Sequence, residues 1–268
     1  MPEKGTAFSV LGGENMLAAE RQKRIVELIK AQEFVKVETL SKELGVSDMT
    51  IRRDLEKLEK EGLIQRCYGG ATLKTTTEQE TDYNNKIGQN PEGKLKIGRC
   101  AAQLVKSKST VFLDAGTTVF QAAKQILDIP DLTIVTNDLS IAYLVFTQSK
   151  AKLIVIGGVV QNVLGCSHGF LAEEMLKQIR VDMSFSSGLA IDNEFELFNQ
   201  DERKTSFRKL LLKNTKDAYL LVDKTKFFKT SLCHVHGLEV YKGVITDRRL
   251  MGEELQFAKQ KGVNFIFV

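Results

Sequence analysis

What this chain has little of narrows its class before any motif is read. Its 268 residues contain four cysteines, Cys67, Cys100, Cys166 and Cys233, and no two of them stand as a CxxC pair. That disfavours a disulfide framework or a structural zinc site and fits a reducing cytoplasm. No apolar run approaches the ~20 residues needed to span a bilayer. The first fifteen residues include Gly5, Gly12 and Gly13 and lack the basic start and long apolar stretch of a secretory signal. Residues 1–15 therefore read as a disordered extension, with Met16 as a natural start. No internal repeat is evident. Excess charge is missing too: the net charge is +4, with 43% hydrophobic and 27% charged residues. This is the composition of an ordinary folded chain, not of a nonspecific polycation, so any affinity for nucleic acid must come from where the basic side chains stand. Residues 16–75 hold 12 Lys and Arg against 10 Asp and Glu, a net of +2, so position counts for more than total.

At this length a small module plus a domain with a full core is expected. The most informative stretch runs from Val35 to Leu63. Leu40 and Leu44 lie four apart on a first helix, and Gly45 follows as a residue able to take positive φ at a helix C-terminus. Val46 supplies an apolar plug, and the Ser47 hydroxyl is placed to cap a second helix beginning at Asp48. On that helix Ile51, Leu55 and Leu58 recur at i, i+4 and i+7, which at about 100° per residue makes one inward stripe. The opposite face carries Met49, Thr50, Arg53, Lys57 and Lys60, with Arg52 on its flank, mostly donors suited to phosphate oxygens and base edges. Taken alone, such a helix reads more plainly as a surface helix with solvated charges. Its neighbours decide otherwise. Leu17–Gln32 reads as a preceding helix with Ile25, Leu28 and Ile29 inward, and Leu63–Cys67 and Ala71–Leu73 read as short strands about Gly69-Gly70. Helix, helix, turn, helix, wing is the order of a winged helix-turn-helix, whose second paired helix enters a major groove.

Ala19-Glu20-Arg21-Gln22, then Val46-Ser47-Asp48-Met49-Thr50-Ile51-Arg52-Arg53-Asp54-Leu55, and then Tyr68-Gly69-Gly70-Ala71 closely resemble the DeoR family of bacterial transcription regulators. The resemblance implies DNA contact by Ser47, Met49, Thr50, Arg52, Arg53, Lys57, Tyr68 and Gly69. Tyr68 departs from the histidine the family commonly has there.

The segment 75–90 is polar, rich in threonine and short of apolar periodicity, as a linker would be. The expected organisation is thus an extension 1–15, a DNA-binding domain 16–74, a linker 75–90 and a second domain 91–268. Pro91 suits a first helical turn, and a helix over 91–106 would turn Leu95, Ile97, Ala101, Leu104 and Val105 inward. Short apolar runs then alternate with helical stretches. The runs at Thr110–Leu113, Thr133–Val135, Leu153–Ile156, Met183–Phe185, Tyr219–Val222, Val244–Thr246 and Phe265–Val268 read as buried strands. The stretches 117–127, 138–148, 169–179, 201–215 and 251–261 read as helices, which predicts a Rossmann-like, mostly parallel α/β sheet covered on both faces.

In such sheets ligands sit beyond the strand C-termini, where helix N-termini attract anions. Asp114-Ala115-Gly116-Thr117-Thr118 ends the first strand, Thr136-Asn137-Asp138 the second and Gly157-Gly158 the third, and Asp223 and Lys226 follow the fifth. A Gly-Thr-Thr after a strand is often only a helix cap, and a lone lysine is usually solvated, but their shared edge points to a phosphate site. LDAGTT, VTN, GG and DKTKF here also resemble the DeoR sensor domain, itself similar to the ribose-5-phosphate isomerase fold. That resemblance implies an effector site of Asp114, Gly116, Thr117, Thr118, Thr136, Asn137, Gly158 and Lys226 for a phosphorylated sugar. Relatives usually carry an acidic residue where Leu189 stands, glycine at Ala190 and threonine at Phe198, which implies an intact phosphate half and an altered sugar half. Cys233, His234 and His236 fit a strand end better than a metal site, so neither metal nor cofactor is expected.

The reading that follows is a cytoplasmic, homo-oligomeric DNA-binding regulator with no membrane segment and no catalytic residues. It would repress a carbohydrate-use operon through a double-stranded operator and answer to a phosphorylated metabolite. Two alternatives stay open: a sugar-phosphate isomerase-like enzyme using Asp114 and Lys226 as an acid/base pair, and a regulator whose second domain only oligomerises.

Overall fold

A computed structural model describes residues 17–32, 34–61, 63–73, 76–77, 86–161 and 165–268. The chain divides into two units, Met1–Thr75 and Thr76–Val268. The expected extension 1–15 lies outside the described residues.

The first unit runs α1 (Ala18–Gln32), β1 (Phe34–Lys36), α2 (Val37–Leu44), α3 (Asp48–Lys60), β2 (Ile64–Cys67) and β3 (Gly70–Leu73). Gly45 ends α2 at φ 64 and returns its N–H to the Ser41 carbonyl, closing a turn that a Cβ would strain. The Ser47 hydroxyl then accepts the Thr50 N–H at 3.2 Å and starts α3. Ile25 and Ile29 of α1, Leu40 and Leu44 of α2, and Ile51, Leu55 and Leu58 of α3 form one buried cluster with Val35, Ile64 and Ala71. Each buried Val, Leu or Ile of this cluster contributes roughly 1.5–3 kcal/mol by leaving water. Strand β1 was not anticipated. It pairs antiparallel with β3, Val35 opposite Ala71 and Lys36 opposite Gly70, so the expected two-stranded wing is part of a three-stranded sheet ordered β1-β3-β2. Three residues are too few for a period-2 signal. The pairing also depends on a close approach, because a Cβ on Gly70 would lie 2.4 Å from the Val35 oxygen. Leu63, expected in β2, stands outside it and is exposed.

The second unit is built on seven strands: β5 (Thr110–Leu113), β6 (Thr133–Thr136), β7 (Lys152–Val155), β10 (Val181–Ser187), β13 (Thr215–Leu221), β16 (Gly243–Thr246) and β17 (Phe265–Phe267). Their order is β17-β16-β13-β10-β5-β6-β7, and every neighbouring pair is parallel. Alternate residues pack on opposite faces, as a sheet covered on both sides requires. Val111 and Leu113 join Ile97, Val119 and Ile141 of the helices Pro91–Ala102, Thr117–Gln125 and Leu139–Gln148. Phe112, between them, joins Leu176 of Phe170–Lys177 with Phe207 and Leu211 of Glu202–Lys213. The edge strands β7 and β17 are only partly buried, since the sheet covers each along one side. The first helix stops at Ala102 instead of 106.

Three smaller pairings give no clear sequence signal, because their strands are only two to five residues long. β8 (Val159–Gln161) and β9 (Cys166–His168) form a hairpin. β11 (Ala190–Ile191), β12 (Glu196–Asn199) and β15 (Cys233–Gly237) form an antiparallel sheet. β4 (Thr76–Thr77) pairs in parallel with β14 (Lys229–Thr230), and the Lys94 ammonium donates to the Lys86 carbonyl. The described parts of the expected linker 75–90 thus contact the second unit.

From β5 the chain winds one way through β6 and β7, then returns to lay β10, β13, β16 and β17 on the other side. The winding reverses between β5 and β10, and a crevice opens at their C-terminal ends.

Candidate functional site: a basic recognition helix and a cationic cleft

On α3 the inward stripe leaves Met49, Arg52, Arg53 and Lys57 exposed and Thr50 half-buried beside the Ser47 cap. Lys60, on the same face, is drawn into a helical ion pair with Glu56 at 3.2 Å. Asp54 turns the other way. It is buried, and its carboxylate accepts Arg21 Nε at 2.5 Å and Gln22 Nε2 at 2.8 Å, fastening α3 to α1. In the wing turn Tyr68 is exposed, Gly69 has φ 78 and its carbonyl accepts the Val37 N–H at 3.0 Å. Arg66 N–H donates to Glu59 at 2.8 Å, which holds the wing against the recognition helix.

The crevice at the β5/β10 reversal is a cleft enclosing about 720 Å³, counted out to its open mouth. Gly116 begins the helix Thr117–Gln125 with φ 155, and a Cβ there would come within 2.5 Å of Ser187 Oγ. A side chain at position 116 is therefore excluded by Ser187, at the end of β10. Thr117 and Thr118 follow, nearly buried, at the positive end of that helix. Lys226 enters from the turn after β13, and Lys86 joins it. Asp114 lines the floor, where its Oδ2 accepts Arg208 Nε at 3.1 Å and Nη2 at 2.8 Å. Arg208 Nη1 donates to Asn199 Oδ1 at 2.8 Å. His168 closes another wall, its Nε2 3.1 Å from Cys166 Sγ and its ring edge-on to Phe207. Burial, with the Lys204 cation nearby, holds the imidazole down at about 4, so it is neutral at physiological pH.

Of the eight residues expected to hold an effector, Asp114, Gly116, Thr117, Thr118 and Lys226 line this cleft. Thr136, Asn137 and Gly158 do not line it. Thr136 Oγ1 donates to the Leu113 carbonyl at 2.7 Å, Asn137 Nδ2 reaches the Ser167 carbonyl at 3.3 Å, and Gly158 backs onto His168 and Ala172. Of the three departures read from sequence, Leu189 lines the cleft, whereas Ala190 is buried in β11 and Phe198 packs edge-on to His234. The alternation of β12 gives Asn199, not Phe198, to the cleft. Asn199, His168, Lys204 and Arg208 were missed; Lys204 and Arg208 stand at i and i+4 of one helix, a spacing visible in the sequence. His234 pairs with Glu196 at 2.7 Å, and among the described residues no three His, Cys, Asp or Glu side chains are grouped to hold a metal.

A winged helix-turn-helix carried in one chain with a parallel α/β domain, whose strand ends form a cationic cleft, defines a DNA-binding transcription regulator with a sensor domain. A DeoR-like helix-turn-helix domain model matches residues 21–77, and a DeoR C-terminal sensor domain model matches residues 89–248. The chain belongs to the DeoR family. An HTH-type transcriptional regulator of Haemophilus influenzae is 33% identical over 237 residues, covering 88% of this chain and 92% of the relative. The glycerol-3-phosphate regulon repressor of Escherichia coli is 30% identical over 232 residues, 87% of this chain and 92% of the repressor. Among solved structures, ribose 5-phosphate isomerase A from Methanocaldococcus jannaschii is similar over 52% of this chain and 55% of its own, with 17% identity and a TM-score of 0.38.

Proposed function

We propose that the protein represses an operon for the use of a carbohydrate or polyol, and that a small phosphate ester bound in the cleft changes its affinity for the operator. One observation carries this reading: the Gly116-Thr117-Thr118 helix start converges with Lys226 and Lys86 in a cleft of the chain that also bears the exposed Arg52, Arg53 and Lys57. Backbone amides at a helix start and two ammonium groups suit a phosphate. Leu189 adds an apolar wall that would leave a sugar hydroxyl unsatisfied, at about 1–3 kcal/mol, so the reading favours a small, sparsely hydroxylated ester over a hexose phosphate. A relative that represses the glycerol-3-phosphate regulon makes glycerol 3-phosphate the first compound to test.

Catalysis is no part of this reading. Asp114, the carboxylate lining the cleft among the described residues, already accepts two hydrogen bonds from Arg208 instead of standing ready as a base. The reading includes a homo-oligomer, because one recognition helix reads few base pairs and paired half-sites multiply specificity. The outer face of Leu139–Gln148, with Leu139, Tyr143 and Phe146 44%, 71% and 77% exposed, is the surface assigned to contact a second copy. So much aromatic area is rarely left to water on a monomer. No described helix is long and apolar enough to cross a membrane.

The test is operator binding by the full chain, with and without glycerol 3-phosphate, alongside Thr117→Ala. A ligand-dependent change in operator affinity that Thr117→Ala removes is expected. Unchanged operator affinity across a panel of phosphate esters would leave the second domain as an oligomerisation body.

A further inference from the structure

We infer that Met49 is a specificity-determining residue of the DNA-binding unit, and that it selects thymine by packing against the 5-methyl group this base presents in the major groove. This holds independently of what the cleft of the second unit binds.

Met49 is the second residue of α3 and is 66% exposed. A single exposed apolar side chain is ordinary on a protein surface, but the place of this one is not. Ile51, Leu55 and Leu58 of the same helix are buried in the core of the unit, and Met49 stands outside that cluster. At about 100° per residue, Met49 points to within about 30° of the direction opposite the buried stripe. Arg53, one turn further on and exposed, shares its side of the helix. Asp48, about 100° back around the helix, is turned off this face. The Ser47 and Thr50 hydroxyls lie 3.0 Å apart, and the Ser47 oxygen accepts the Thr50 N–H at 3.2 Å. The helix start that carries Met49 is thereby held, while the side chain itself is unbranched and adaptable.

A recognition helix in a major groove meets base edges with its N-terminal residues, and the chemistry of a thioether narrows what Met49 can meet there. It has no donor and only a weak acceptor in its sulfur, so it offers little to phosphate oxygens or to the polar base edges that Arg53 suits. Among the groups that base pairs present in the major groove, the 5-methyl of thymine is the apolar one. Contact with it takes apolar surface of both partners out of water. A base amino or carbonyl group at that place would lose its water to a side chain unable to replace it. The first turn of α3 is thus matched to thymine, and Arg53, about 6 Å further along the helix, to a hydrogen-bonding base.

A duplex selected by the full chain from a random library is the probe. Each of its thymines is replaced in turn by uracil, which lacks only the methyl group, and affinity is measured at matched salt. At one or more positions wild type should lose about fourfold, roughly the worth of one buried methylene, while Met49→Ala binds the thymine and uracil duplexes alike. Met49→Leu, still apolar, should keep the margin. Lys57→Ala should keep it too while weakening both duplexes, which separates a lost methyl contact from a general loss of affinity. Thermal melting should show all the variants folded, since neither residue belongs to the core. Uracil that costs wild type and Met49→Ala equally at every position, or a selected duplex with no thymine that responds, would overturn the assignment.

Discussion

At the residue scale, one face of α3 is exposed and basic while the other is fastened to the protein. Arg52 and Arg53 project from α3, whereas Asp54, next in the chain, is buried against Arg21 and Gln22. Replacing Asp54 by alanine removes the buried acceptor of Arg21 Nε and Gln22 Nε2 and should destabilise the DNA-binding unit by about 1–3 kcal/mol, read as a lower denaturant midpoint with no change in the second unit's transition. Arg53→Ala should instead leave stability alone, lower operator affinity by about 1–3 kcal/mol and relax preference at one base pair. Lys57→Ala should weaken all sequences evenly and reduce the salt slope by about one unit. Equal operator affinity of wild type and Arg53→Ala at matched salt would remove Arg53 from the interface. Asp138 gives a pH signature. Burial raises its carboxyl to about 6, although Oδ1 accepts the Ser140 and Ile141 amides. A carboxyl whose folded pKa lies above its unfolded value of 3.8 binds more protons when folded. Its contribution is therefore greatest below pH 4 and falls as pH rises to 6. Asp138→Asn keeps the two accepted bonds without the titration, so its stability relative to wild type should rise between pH 4 and pH 7 by on the order of 2 kcal/mol. A constant difference across that range would contradict the assignment.

At the element scale, the cleft depends on how closely two strands approach. The Gly116 turn leaves no space for a methyl group beside Ser187, so Gly116→Ala should push the β5 and β10 ends apart. It should cost about 1–3 kcal/mol and weaken phosphate-ester binding together with stability, whereas Thr117→Ala should weaken binding with a smaller loss of stability. If Gly116→Ala binds as wild type does, the close approach is not what shapes the site. The helix Leu139–Gln148 makes a different point. Ile141 and Val145 are buried inward, while Tyr143 and Phe146 face out with no polar residue replacing them. Runs without clear periodicity carry no sign of which side will stay open, so the sequence predicts this helix but not its bare face.

At the scale of the whole molecule, the homo-oligomer proposed above ties that face to operator binding. Light scattering at micromolar concentration should give a mass above the 30.0 kDa monomer, and Tyr143→Glu with Phe146→Glu should lower it and reduce operator affinity through the loss of paired half-sites. A monomeric mass with a full-length footprint would contradict both. The two-domain architecture and all seven strands of the main sheet were legible in the sequence, because apolar periodicity and helix-capping residues such as Ser47 and Gly45 act within a few residues of themselves. The Gly116–Thr118 loop and Lys226 could be read for the same reason: each ends an apolar run. The other wall of the cleft could not. Asn199, His168, Lys204 and Arg208 face Asp114 only because β10 returns to lie beside β5, and because β12 and the β8–β9 hairpin fold over the sheet's edge. Thr136 and Asn137, at the same strand ends, are taken up by the Leu113 and Ser167 carbonyls instead. Local physics determined which segments are strands and helices, while the order in which distant strands pair decided which side chains share a cavity.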